Sequence, residues 1–187
     1  MKKAEIRAAD GRRATPAARR VRALCQVAMA AAVMAVCAFI TVPFSAVPFT
    51  MQTFGVFLIL LLLGGKKGTA AVAVYLALGA AGAPVFSGFR GGFSVLVGPT
   101  GGYLWGFLAV ALLYLAFEKL CARRVLIESL LLIGGLALCY ACGTLWFLHL
   151  TGRTAGEALL LCLIVRTQEH VFGTLKNYIL PMIISGR

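Results

Sequence analysis

Acidic residues are scarce: aspartate and glutamate together number 6 in 187 residues, and Asp10 is the single aspartate. No Ser-His-Asp set can therefore be assembled except through a residue of the basic N-terminal stretch. The two histidines, His149 and His170, lie 21 positions apart with no supporting carboxylate pattern, so nothing in the sequence marks a metal site. The G-x-x-x-x-G-K-[ST] loop that cradles nucleotide phosphates is missing, which assigns no ATP chemistry to this chain. Charged residues make up 13% of the sequence, against about 25% in ordinary soluble domains. With 61% hydrophobic residues and a mean hydropathy of +0.94, the composition describes an integral membrane protein, and with no catalytic set marked in the sequence no enzymatic activity is expected.

What charge is present is basic, with 18 Lys and Arg and a net charge of +12. A basic protein invites a nucleic-acid reading, yet these residues are neither spread over a folded face nor interleaved with stacking aromatics. They flank apolar runs, where membrane topology places them. Eight fall within residues 1–22 (Lys2, Lys3, Arg7, Arg12, Arg13, Arg19, Arg20 and Arg22), which read as a basic cytoplasmic tail ahead of a single membrane domain over 23–187. The six cysteines form no disulfide framework, because five lie in apolar segments and Cys121 lies in a basic loop. They read as small packing residues. Cys139 and Cys142 make a C-x-x-C but lack the strand-to-helix setting of a redox motif.

The apolar stretch Ala23–Val42 covers about 30 Å at about 1.5 Å per residue and predicts a first span. Ala28, Ala31, Ala35 and Ala38 recur at helical spacing, and Ala28 with Ala32 forms A-x-x-x-A, a pattern that lets helices approach closely in lipid. A turn at Pro43–Phe49 precedes a second span that ends at Lys66 and Lys67, with polar Gln52 and Thr53 near its start. A third span is expected from about Thr69 to Ala83, a fourth from about Gly101 to Phe117 and a fifth from about Val125 to Leu150. With the N-terminus inside, thirteen basic residues fall on cytoplasmic segments and two, Arg90 and Arg153, outside. That asymmetry predicts an N-in orientation. The run Ala158–Val165 is too short to cross alone, so 156–178 is either a sixth span carrying ionisable groups or a tail that does not cross.

Between the third and fourth spans the sequence changes character. Nine of the 21 glycines lie between Gly79 and Gly106, together with Pro84 and Pro99. Glycine and proline disfavour helix interiors, and broken backbone at membrane depth is tolerated only where protein buries it or where it lines a cavity. This stretch, on the same predicted outer side as the Pro43–Phe49 turn, is the first candidate for a ligand site.

Three motifs sharpen that candidate: G-x-P-V-F-x-G-x-x-G-G at Gly82–Gly92, G-P-T-G-G-Y at Gly98–Tyr103 and VPFTMQTF at Val47–Phe54. In this order and spacing they resemble the BioY family of biotin transporters, over roughly residues 23–150. The resemblance implies an all-α bundle of six transmembrane helices in the cell membrane of a prokaryote. It implies a substrate-binding S-component of an energy-coupling factor (ECF) transporter, which captures biotin outside while a transmembrane coupling protein and two ABC-type ATPases supply energy. It further implies that Ala28 and Ala32 dock the coupling protein. A stand-alone secondary transporter of biotin or another small carboxylate vitamin is the alternative, and a membrane enzyme using Cys139 and Cys142, or His149 and His170, is a third reading. No cofactor is expected.

For biotin, the expected contacts are Gly91 and Gly92 through close backbone approach, and Gln52 and Tyr103 through hydrogen bonds. Arg90 is either a fork for the carboxylate or a solvated loop residue. Helix packing is the alternative role for Gln52 and Tyr103, and an interfacial aromatic belt is the ordinary role for Trp105 and Tyr140. The resemblance also implies an aspartate and a following lysine in the last helix. This chain departs from that pattern: the residues available there are Glu169 and Lys176, seven apart, and Lys176 is the expected contact. The departure suggests a divergent or frame-shifted end from about Ile164.

Overall fold

The computed structural model describes residues 15–42, 49–121 and 125–152. A first helix, α1 (Pro16–Phe39), is capped by the Thr15 hydroxyl, which accepts from the Ala18 amide, with Pro16 in the first turn. A capping hydroxyl followed by proline is a strong helix start, since proline lacks only an amide that would go unpaired there. The helix therefore begins seven residues before the apolar run, and Arg19, Arg20 and Arg22 ride on its exposed first turns. A two-residue antiparallel pair, β1 (Thr41–Val42) with β2 (Phe49–Thr50), follows and adds a small strand element to the fold expected as all-helical.

The next helical stretch, α2 (Gln52–Ala80), is interrupted at Gly64, whose φ of 76° and ψ of 174° lie outside the helical region. Only glycine adopts that conformation without strain. The chain reverses there: Gly68 lies against Leu60, and the Gln52 side chain reaches Tyr75 across the hairpin. The two limbs, 52–63 and 65–80, correspond to the second and third spans expected from the sequence. A short α3 (Phe93–Val97) leads to α4 (Gly101–Cys121) and α5 (Val125–Thr151). Among the described residues four helices are long and apolar enough to cross a membrane, with the hairpin of α2 counted as one of them. The expected sixth span lies outside the described residues.

Glu118, near the end of α4, holds the α2 turn by accepting the Gly65 amide at 3.0 Å. A carboxylate at the first amides of a helix satisfies an otherwise unpaired donor and complements the helix dipole. On this basis Glu118→Ala should lower the thermal midpoint in detergent, with a loss of about 1 kcal/mol, and Glu118→Gln should lose less. An unchanged midpoint for Glu118→Ala would show the cap to be energetically idle.

The buried centre runs from Met34 on α1 through Phe57, Leu60, Val72 and Tyr75 on α2 to Val110 and Ala111 on α4 and Leu136 and Cys139 on α5. Gly55 packs against Cys37, and Lys67 donates to Gln26 at 2.8 Å, so α1 runs antiparallel to the first limb of α2. The start of α1, the Gly64 turn and Glu118 thus share one end of the bundle. The β1–β2 pair, the glycine-rich segment and the close of α5 share the other. Of the small residues on α1, Ala31, Ala35 and Ala38 pack inside, whereas Ala28 and Ala32 stay exposed. The four-alanine face expected from spacing is therefore divided between the bundle interior and an open surface.

Candidate ligand site

The glycine-rich segment does not continue any helix. It folds back onto the second limb of α2. The Phe86 ring rests on Gly79, the Gly92 amide donates to the Gly79 carbonyl at 2.7 Å, and the Tyr75 hydroxyl donates to the Val85 carbonyl at 2.9 Å. The Phe86 amide donates to the Arg90 carbonyl at 3.0 Å, closing residues 86–90 into a tight loop. At its tip Phe89 holds a φ of 57°, a conformation that costs an aromatic residue of the order of 1 kcal/mol and tends to mark sites held in place by their surroundings. There Phe89 stacks on Phe39 of α1 at 4.2 Å, and the Ser87 hydroxyl lies 3.0 Å from that of Thr41. Farther along, Trp146 of α5 donates its indole N–H to the Gly98 carbonyl at 3.1 Å.

Beneath this roof is a small polar cluster. Gln52, 4% exposed, donates its amide to the Tyr75 hydroxyl at 2.8 Å. The Tyr140 hydroxyl lies beside Thr53, and the Tyr140 ring meets the Tyr103 ring edge to face at 5.9 Å. Tyr103 lies against Gly143, and its enclosed hydroxyl makes no hydrogen bond of good geometry among the described residues, although the Thr144 side chain is beside it. An enclosed hydroxyl without a partner is costly, and a ligand atom is one way to satisfy it. The Arg90 guanidinium is exposed at the rim and donates Nε to the Ser87 carbonyl at 3.3 Å. Glu118, the one acid whose side chain is described, sits at the opposite end of the bundle, so Arg90 has no acidic partner among the described residues.

Gln52, Arg90, Gly91, Gly92 and Tyr103 thus gather at one end of the bundle. Ala28 and Ala32 lie apart from them on α1, and Lys176 lies outside the described residues. Gln52 is partly committed to packing, because its amide already serves Tyr75. Gly91 owes its identity to crowding against the Ala83 carbonyl. Tyr75, Thr41, Ser87 and Trp146 organise the site without having been singled out in the sequence. Tyr75 could have been found as the single hydroxyl in an apolar run, since polar groups at that depth seek partners. Cys139 and Cys142 are free thiols, and Cys139 packs in the core with Sγ 3.8 Å from the Tyr103 carbonyl.

Helices of membrane-spanning length, with interrupted backbone and a few convergent polar groups at one end, mark a multi-pass membrane protein with a candidate small-molecule site. The BioY family profile matches residues 7–183, and the chain belongs to the BioY family. The biotin transporter BioY of Thermotoga maritima is 46% identical over 125 residues, which are 66% of this chain and 72% of that protein. BioY2 of Lactococcus lactis subsp. cremoris, a biotin transporter, is 35% identical over 125 residues, 67% of this chain and 69% of that one. A solved structure, the S-component for biotin from an ECF-type ABC transporter, shares the fold. Its TM-score is 0.68 at 24% identity, covering 81% of this chain and 93% of that one.

Proposed function

We propose that this chain is the biotin-capturing S-component of an ECF transporter, oriented with its N-terminus in the cytoplasm and its ligand site outside. The observation that carries the reading is the gathering of Gln52, Tyr103 and the Arg90 loop at one end of a BioY-family bundle. Family membership supports biotin as the ligand. The basic first turns of α1, with Lys66 and Lys67 beside the Gly64 turn, support the N-in orientation.

In this reading the enclosed aromatic cluster receives the apolar ring system of biotin. The Tyr103 hydroxyl and the Gln52 amide meet the ureido group, and Arg90 holds the carboxylate at the rim. Gly91 and Gly92 bring backbone against the ligand, and Lys176 adds a contact from the C-terminal region. The six-helix bundle of the family, set in the plasma membrane, is the expected frame for this site. The exposed Ala28 and Ala32 dock the coupling protein, and the energy comes from two ABC-type ATPases on separate chains.

Competition by biotin and by its methyl ester on purified protein tests the assignment. Arg90→Ala should weaken biotin binding about tenfold and leave the ester unaffected, the loss of one charge-assisted contact. Equal losses for both ligands would remove Arg90 from the carboxylate site.

A further inference from the structure

We infer that Tyr75 is a positioning residue for the ligand site, acting through a relay that fixes the depth of the glycine-rich segment. The inference rests on the biotin-binding reading above, but its structural half stands apart from it. Gln52 Nε2 donates to the Tyr75 hydroxyl at 2.8 Å, and that hydroxyl donates to the Val85 carbonyl at 2.9 Å. One hydroxyl thus serves as acceptor and donor, and it ties three parts of the chain together. Gln52 opens α2 directly after the β1–β2 pair, Tyr75 stands on the returning limb, and Val85 precedes the loop that carries Arg90 and Gly91.

The surroundings make the relay hard to replace. Tyr75 is completely buried, Gln52 is 4% exposed and Phe86 is 2% exposed. Water has little access to substitute for a missing partner, and a polar group stranded there is destabilised. The Tyr75 ring also meets the Phe86 ring edge to face at 5.6 Å, so the ring and the hydroxyl hold neighbouring residues of the same segment. Removing the hydroxyl while keeping the ring separates the two contributions. The Phe86 ring should stay on Gly79, while the Val85 carbonyl loses its donor and the segment from Val85 to Gly92 loosens against the bundle.

Tyr75→Phe is the direct test, read by amide hydrogen exchange and by biotin release from the full chain in nanodiscs. Exchange at Phe86 and Gly92 should quicken about tenfold while that of α4 amides stays unchanged, and biotin should dissociate about tenfold faster at temperatures far below unfolding. A role confined to general stability would instead lower the thermal midpoint and leave both local exchange and release as they were, which would overturn the proposal. Looser exchange with unaltered release would overturn it as well. Should Tyr75→Phe not fold, Gln52→Met removes the donor to Tyr75, and a smaller rise in exchange at the same two amides is expected in the ligand-free protein, where the ureido contact of Gln52 plays no part; no rise there would overturn the relay. If the parent protein itself retains no biotin, the ligand reading fails, and the exchange measurement alone decides whether the relay exists.

Discussion

Gly91→Ala should reduce biotin retention by at least about 100-fold, or about 2.7 kcal/mol, without dispersing the bundle. A methyl group at this position would stand 2.3 Å from the Ala83 carbonyl oxygen and 2.8 Å from that of Gly82. Both are backbone atoms, so no side-chain rotation can relieve the contact. Ala83 is itself held, its amide donating to the Leu78 carbonyl at 3.1 Å. The loop must therefore lift away from the second limb of α2, carrying Arg90 with it and loosening the bonds that seat Gly92 and Val85. The helices of the bundle lie outside this contact, so the circular dichroism of the variant should match that of the parent. Parent-like retention would show that the loop does not shape the pocket.

The second large effect concerns energy coupling. Ala28→Trp should leave biotin binding intact and abolish ATP-driven uptake when the coupling protein and ATPases are co-expressed. Ala28 and Ala32 are exposed on α1 while Ala31, Ala35 and Ala38 are already packed inside. A bulky residue at 28 therefore points away from the packed face of α1 among the described residues and changes stability by no more than about 0.5 kcal/mol. In lipid, however, helix association depends on small residues that permit close backbone approach, and an indole there holds a partner helix off. Leu112→Trp provides the control: Leu112 is exposed on α4, and its replacement should spare uptake. Equal uptake by Ala28→Trp and the parent would move the docking surface elsewhere.

Much of this arrangement could be read from residues because membrane constraints are strict. Unbroken apolar runs, basic flanks and one glycine-rich interruption leave few layouts, and the structure places the motif residues Gln52, Arg90, Gly91, Gly92 and Tyr103 together at one end. The start of α1 was harder to place. Hydropathy marks where a chain enters lipid, whereas Thr15 and Pro16 mark where the helix begins, and the arginines between them hid the difference. Gln52 illustrates a second limit. Its main partner, Tyr75, is 23 residues away and becomes its neighbour only because Gly64 reverses the chain. Periodicity shows neither the reversal angle nor which hydroxyls face each other. Glu118 was obscure for the same reason, since a single acid beside basic residues looks like a membrane-edge charge until the Gly65 amide is found beside it.

Equilibrium binding of radiolabelled biotin to the full-length chain, purified alone and placed in nanodiscs without ATP, tests the central claim most directly. Saturable binding of one biotin per chain, with no transport across sealed vesicles until the coupling protein and ATPases are added, is the expected result. Absence of saturable binding, or biotin uptake by the chain alone, would contradict it.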